Sequence, residues 1–111
     1  MPSKIDLVIN KFINEVSNLI GSRLKKVILY GSYARGDFEK NSDIDIMILT
    51  DFDDNEIIEN RMKIRDIACD IELEYDVIIS PIVWNIDKYN ERINIIPFYI
   101  NVQKEGVILR G

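Results

Sequence analysis

The stretch GSYARGDFEKNSDIDIMIL, residues 31–49, decides how this chain folds. It follows the buried-strand pattern KKVILY, which ends at Tyr30, and it closes on DIDIMIL, whose alternation and β-branched residues predict a second strand. Gly31 and Ser32 mark the turn after the first strand, and YARGDF predicts one or two helical turns that end at Gly36. Because so few residues separate the two strands, we expect them to be antiparallel neighbours.

Two aspartates of the second strand form a candidate metal site. Asp43 and Asp45 are two residues apart, so their side chains point to the same face, with Cα atoms about 6.6 Å apart. Carboxylates about 4 Å apart repel by about 4 kcal/mol at an effective dielectric of about 20, so protonation or a bound cation must relieve the pair. Asp76 lies in YDVIIS, which predicts a third strand, and a helical crossover would place its start beside Asp43. Three carboxylates in a chain without histidine suit Mg²⁺ or Mn²⁺.

The residues around the Gly-Ser turn form a candidate anion site. Gly31 lets a ligand approach the backbone closely, and Ser32 begins a helix whose free N–H groups and dipole favour an anion. Arg35, one turn further on, could point at the same anion. Ser42 either orients the start of the second strand or contacts the ligand. An anion cradle that faces metal-binding carboxylates suits a nucleoside triphosphate.

The rest of the chain predicts helices that cover a small mixed sheet. Helices are predicted over residues 4–20 and 55–69, a third strand over residues 75–80 that stops near Pro81, two short helices in VWNIDKYNER and IIPFYINVQKEG, and an edge strand in VILR. The long helical connection between the second and third strands favours a parallel pair. The predicted class is α/β (α+β), in one domain over residues 1–111.

Composition narrows the range of functions. The net charge of −5 argues against a broad nucleic-acid footprint, and the absence of histidine excludes histidine-based acid–base chemistry. Cys69 is the single cysteine and cannot form an internal disulfide, so we expect a cytoplasmic protein. No apolar run approaches the roughly 20 residues that cross a bilayer, and no signal peptide precedes the first helix, so we expect no membrane association.

The spacing of these motifs carries a family resemblance. GS, then D-x-D after ten intervening residues, then an aspartate in a later strand resembles the nucleotidyltransferase superfamily that includes DNA polymerase beta and kanamycin nucleotidyltransferase. The short chain is similar to the minimal nucleotidyltransferases, or MNT proteins, which pair with HEPN-domain toxins. The resemblance implies a polymerase-beta-like fold in which Gly31 and Ser32 hold the triphosphate, while Asp43 and Asp45 bind Mg²⁺. It implies that Asp76 completes the triad and is the candidate base for the attacking hydroxyl.

The same resemblance implies an activity and a partner. The reaction would transfer a nucleoside monophosphate from ATP to a hydroxyl, and in antitoxins of this kind the acceptor is a tyrosine of the HEPN toxin. A single small domain leaves little room for an acceptor pocket, so we expect a second chain, either a HEPN protein or another copy of this one. Two alternatives stay open: an antitoxin that binds nucleotide and acts by contact alone, and a nucleotidyltransferase that modifies a small molecule such as an antibiotic.

Overall fold

The fold is a four-stranded sheet with helices on both faces. The computed structural model describes residues 3–39 and 41–110. Along the chain these residues form α1 (Ser3–Ile20), a 3₁₀ turn (Gly21–Arg23), β1 (Leu24–Tyr30), α2 (Ser32–Arg35), β2 (Ile44–Thr50), α3 (Asp54–Tyr75), β3 (Ile79–Asn85), α4 (Ile86–Arg92), α5 (Pro97–Glu105) and β4 (Val107–Arg110). No helix in these described ranges is both long enough and apolar enough to span a bilayer.

The strand order across the sheet is β3-β2-β1-β4. The β1 and β2 strands are antiparallel, and Tyr30 at the end of β1 lies opposite Asp45 near the start of β2. The β2 and β3 strands are parallel, with Asp45 opposite Ser80. Both pairings confirm the sequence-based prediction. As expected for VILR, β4 is an edge strand, and it pairs antiparallel with β1. The end of β1 and the start of β2 therefore meet at one end of the sheet.

Alternate strand residues bury the two faces of the sheet against different helices. The face that packs against α1 and α3 is formed by Val27, Leu29, Ile44, Ile46, Ile48, Ile79 and Val83. Packing against α4 and α5 involves Ile28, Met47 and Leu49, together with the helix residues Tyr89 and Val102. Because side chains alternate along a strand, Asp45 lies on the same face as Met47 and Leu49, the face that α4 and α5 cover.

The third strand and the helix before it differ from the prediction. Helix α3 continues to Tyr75 rather than ending near Cys69, because Ile71 extends the buried stripe of Ile64 and Ala68 by another turn. Strand β3 begins at Ile79 and runs through Pro81 instead of stopping before it. The N–H of Ile44 donates to the carbonyl of Ile78, so the backbone N–H and C=O groups of residues 79 and 81 point away from β2. Pro81 has no N–H, and at this outward position no hydrogen bond of the sheet is lost.

Asp76 is therefore not a strand residue, and its predicted position at the start of β3 was wrong. It ends α3 with a left-handed backbone, at φ 54° and ψ 53°, and its N–H donates to the carbonyl of Glu72. Aspartate is one of the few residues other than glycine that tolerate this conformation. Asp76 thus ends a helix on the face that α1 and α3 cover.

Candidate active site

The Gly-Ser turn after β1 packs directly against Asp45. Gly31 has φ 75° and ψ −156°, a conformation that essentially only glycine adopts. A Cβ atom at this position would overlap the Asp45 carboxylate and lie 3.1 Å from its Cγ. Glycine is therefore required at position 31 for two reasons: the backbone conformation there and the close approach of Asp45 on β2. Since α2 has only four residues, its dipole adds little, and the predicted anion cradle depends on the turn, the Ser32 hydroxyl and Arg35.

Asp43 immediately precedes β2 and Asp45 is its second residue, so the two carboxylates lie close together at this end of the strand, as predicted. Burial raises the pKa of the Asp45 carboxyl, the negative charge of Asp43 raises it further, and Arg35 acts in the opposite direction. The Ser80 hydroxyl on the neighbouring strand β3 donates to Asp43 Oδ2 at 3.3 Å. This end of the sheet thus holds two like charges, one of them partly withdrawn from water, and the Ser80 hydroxyl contacts one of the two, Asp43.

A cleft of about 480 Å³ opens between this end of the sheet and helix α5. One wall carries four of the predicted site residues, namely Gly31, Ser32, Arg35 and Asp45. Arg35 Nε contacts Asp37 Oδ2 at 3.1 Å, and Arg35 Nη1 contacts Glu105 Oε2 on α5 at 3.3 Å. The cleft lining described here carries one guanidinium and two carboxylates, those of Asp45 and Glu105, with Asp43 beside Asp45.

This donor set fits a hard divalent cation that is shared with phosphate. Mg²⁺ is commonly held by one or two protein carboxylates, with water and substrate phosphate oxygens as its other ligands. Asp43 and Asp45 provide two carboxylates on one face. After burial, the negative charge of Asp43 is the next cause that raises the pKa of Asp45, and a positive charge there would relieve that repulsion. Across residues 3–39 and 41–110, no group of three or more acidic, histidine or cysteine side chains could hold a metal ion.

Asp76 and Ser42 lie outside this cleft. Both line a second cavity of about 370 Å³ on the α1 side of the sheet, together with Tyr33 and Phe38. The Ser42 hydroxyl accepts a hydrogen bond from the N–H of Glu39 at 2.7 Å, so it holds a turn before β2. The structure therefore brings together Gly31, Ser32, Arg35, Asp43 and Asp45, and it does not bring Asp76 or Ser42 to them.

The opposite wall of the cleft was missed by sequence reasoning. It consists of Phe98, Asn101, Val102 and Glu105 from one face of α5, and Tyr30 lines the cleft beside them. Burial and then the charge of Asp45 raise the pKa of the Tyr30 hydroxyl to about 12, so it stays protonated at neutral pH. The spacing i, i+3, i+4, i+7 in PFYINVQKE marks a single helix face. Nothing local in this segment indicates that its face lies opposite the Gly-Ser turn.

The chain matches a known family over most of its length. The family described as nucleotidyltransferase domain matches residues 9–107. A protein of Methanocaldococcus jannaschii named "putative protein adenylyltransferase" is 40% identical over 101 residues, which cover 91% of this chain and 93% of the relative. A second protein of that organism with the same description is 39% identical over 77 residues, which cover 69% and 76% of the two chains.

Solved structures show the same fold. A crystal structure of a toxin–antitoxin with AMP-PNP has a TM-score of 0.54 and 21% identity, over 90% of this chain and 71% of that chain. A mutant of the toxin–antitoxin MntA–HpeT has a TM-score of 0.53 and 19% identity, over 89% and 70%. The mixed sheet and the Gly-Ser cleft thus define a nucleotidyltransferase of α+β, polymerase-beta-like fold, as predicted. The chain belongs to the nucleotidyltransferase domain family.

Proposed function

We propose that this protein transfers AMP from ATP to a hydroxyl group, with a tyrosine of a HEPN-domain toxin as the acceptor, and that it acts as the antitoxin of that partner in the cytoplasm. The observation that carries the proposal is the contact of the Gly31 turn with Asp45, with Arg35 and Ser32 in the same cleft. The relatives named as protein adenylyltransferases support a protein acceptor. The toxin–antitoxin neighbours share the fold and suggest the kind of partner.

The cleft residues have distinct roles in the proposed reaction. The acceptor oxygen attacks the α-phosphorus of ATP, the bond from that phosphorus to the oxygen bridging to the β-phosphate breaks, and pyrophosphate leaves. The Ser32 hydroxyl and the Arg35 guanidinium hold the leaving phosphates. Asp43 and Asp45 would hold Mg²⁺, which when bound neutralises charge on the phosphates. The proton of the acceptor hydroxyl would pass to a carboxylate at this end of the sheet, where Asp45 lines the cleft.

The acidic lining of the cleft favours a reaction that depends on Mg²⁺. A triphosphate that entered the cleft alone would meet the carboxylates of Asp45 and Glu105, with only Arg35 to offset them in the lining described. Like charges at this range disfavour binding by several kcal/mol when they are partly desolvated, on the order of the 4 kcal/mol for a pair at about 4 Å. A divalent ion that binds with the phosphates removes that penalty, so binding should depend on the metal.

A second function is favoured by one observation, which is the absence of Asp76 from the cleft. Two carboxylates suffice to hold a metal with nucleotide, but the expected third group that would orient the acceptor lies on the other face of the sheet. The alternative is an antitoxin that holds nucleotide without transferring AMP and neutralises its partner by contact. In that case inhibition of the partner would survive the loss of Asp43 and Asp45.

One experiment separates these functions. The protein is incubated with α-³²P-labelled ATP and Mg²⁺, with and without the co-purified toxin partner, and label is measured on both proteins while toxin activity is followed. We expect label on a partner tyrosine, lost in Asp43→Asn with Asp45→Asn and retained in Asp76→Asn, which keeps the left-handed backbone. Toxin inhibition by the double variant without any label would instead support the contact mechanism. Label on an aminoglycoside, and never on protein, would support a small-molecule acceptor.

A further inference from the structure

The two ends of the cleft differ in chemistry. Arg35 and the Gly31–Ser32 turn form one end, where Arg35 is paired with Glu105 near the C-terminus of α5. Phe98, in the first turn of α5, forms the other end with Tyr30; their ring centroids are 5.7 Å apart and their planes are perpendicular. The aromatic end adjoins the metal-binding carboxylates, because Tyr30 lies opposite Asp45 in the β1–β2 ladder.

The length of this wall matches an extended ligand. Phe98 and Glu105 are seven residues apart on one helix, which corresponds to about 10 Å along the axis. If the leaving phosphates bind at Arg35 and the α-phosphate lies at Asp43 and Asp45, the nucleoside must extend away from Arg35. The cleft residues that remain in that direction are Tyr30, Phe98 and Asn101.

Phe98 presents an aromatic surface to a cleft that also holds charged side chains. Its side chain is 43% exposed, although its neighbours Tyr30 and Tyr99 are in edge-to-face contact with it. Those contacts fix the ring while leaving part of it open to the cleft. Binding pockets typically combine such aromatic surface with a few polar groups, and Asn101, one turn along the same helix face, supplies an amide with both donors and an acceptor.

We propose that Phe98 is the stacking platform for the nucleobase of the bound nucleoside triphosphate and that the Asn101 amide hydrogen-bonds to the polar edge of the nucleoside. This inference rests on the proposed function and adds to it the residues that select a nucleotide over a bare polyphosphate. Stacking on Phe98 supplies affinity for any base, since every base has a π face. Discrimination among bases then falls to Asn101, because an amide pairs with a base edge only where donor and acceptor match.

The test compares Mg-ATP with Mg-tripolyphosphate, which carries the phosphates but no nucleoside. Dissociation constants are measured by isothermal titration calorimetry for the wild type and for Phe98→Ala. We expect Phe98→Ala to weaken ATP binding by about 5- to 150-fold, from the usual contribution of one base stacked on an aromatic ring. Binding of tripolyphosphate should change by less than about twofold, since Phe98 lies at the far end of the cleft from Arg35.

Further variants distinguish a loss of stacking from a general disturbance of the fold. Phe98→Trp preserves an aromatic face and should bind ATP at least as tightly as the wild type. Phe98→Leu preserves apolar volume but should weaken ATP binding as much as Phe98→Ala does. Asn101→Ala should narrow the difference in affinity among ATP, GTP and CTP. Ile95→Ala is the matched control, because Ile95 is 74% exposed in the connection just before α5 and does not line the cleft.

The outcomes separate this inference from the proposed function. The inference is overturned if Phe98→Ala and Phe98→Leu bind ATP as tightly as the wild type, or if they lose ATP and tripolyphosphate equally. In either case the proposed function would still stand if the wild type binds Mg-ATP and Ser32→Ala binds it more weakly. If the wild type binds neither ligand in the presence of Mg²⁺, the proposed function is itself overturned and the inference falls with it.

Discussion

At the scale of single residues, Gly31 determines how closely the Gly31–Ser32 turn approaches β2. We expect Gly31→Ala to lower the free energy of unfolding by more than the roughly 1–3 kcal/mol that such a sparsely populated backbone conformation costs alanine, because the added Cβ also overlaps Asp45. It should also weaken binding of Mg-ATP, since the turn has to move. Urea unfolding and calorimetric titration measure the two effects.

Two other glycines provide the controls for this variant. Gly21 and Gly36 also have positive φ, at 58° and 83°, but an added Cβ would meet no atom within 4 Å at either position. Gly21→Ala and Gly36→Ala should therefore show the cost of a positive φ without any collision. The collision should also be relieved in an Asp45→Ala background, so equal costs of Gly31→Ala with and without Asp45 would refute the contact as its cause.

Asp45 makes stability depend on pH in the metal-free protein. Its pKa is raised in the folded state by burial and then by Asp43, so the folded protein holds this proton to a higher pH than the unfolded chain does. Stability therefore falls as pH rises from the ordinary carboxyl range through the raised pKa, and the loss is complete above it. We expect Asp45→Asn to be more stable than the wild type at pH 7 in EDTA, with the difference disappearing toward pH 4.

The measurement for Asp45 is urea unfolding at both pH values. Asp70→Asn, which replaces an exposed carboxylate on α3, is the control for a general change in net charge. A wild type that equals or exceeds Asp45→Asn in stability at pH 7 would show that the carboxylate is not strained without metal.

At the scale of secondary-structure elements, one ion pair joins α5 to α2 across the cleft. Glu105 holds the Arg35 guanidinium at 3.3 Å and places a negative charge where phosphate is expected to bind. We expect Glu105→Gln to tighten binding of Mg-ATP by up to about fivefold, the range for an exposed ion pair of about 0.2–1 kcal/mol. Glu59→Gln, an exposed position on α3, is the matched control by the same titration. Weaker binding in Glu105→Gln would mean that Glu105 positions Arg35 rather than competing for it.

A comparison of the predicted and observed helices and strands shows which parts of the fold could be predicted from the sequence. The first two strands and the turn between them were predictable because the pattern that defines them is local, from VILY through the Gly-Ser pair to DIDIMIL. The third strand was misplaced because Pro81 was interpreted as its end. That interpretation fails at a sheet edge, where the outward backbone groups of Ile79 are instead paired with α3, its N–H with Glu72 and its carbonyl with Arg65.

The candidate site was predicted in part for the same reason. Gly31, Ser32, Arg35, Asp43 and Asp45 belong to the local pattern, and the structure brings all five to one end of the sheet. Asp76 was placed by assuming that a charge inside YDVIIS must lie on a strand, whereas it ends a helix. The α5 wall depends on which face of the sheet the last helix covers, and that follows only from long-range packing of Tyr89 and Val102 against the strands.

At the scale of the whole molecule, the net charge of −5 and the acidic cleft have a common consequence. The general field of the protein repels a polyphosphate, so affinity has to come from local contacts and from a cation that binds with the ligand. Helices cover both faces of the sheet, and the carboxylates of Asp43 and Asp45 lie together at one end of it. The free protein should therefore be strained at that end, and the strain should be released when metal and nucleotide bind together.

The last prediction tests this coupling through the stability of the entire fold. A ligand at 100 times its dissociation constant adds about 2.7 kcal/mol to the free energy of unfolding, which corresponds to an increase in melting temperature of about 10 °C for a domain of this size. We expect that increase with ATP and Mg²⁺ together, and little with ATP in EDTA or with Mg²⁺ alone. The variant with Asp43→Asn and Asp45→Asn should melt at or above the wild-type temperature without ligand and should gain little from Mg-ATP. Differential scanning calorimetry measures all of these states, and an equal increase in EDTA would show that the nucleotide binds without the aspartate-held metal.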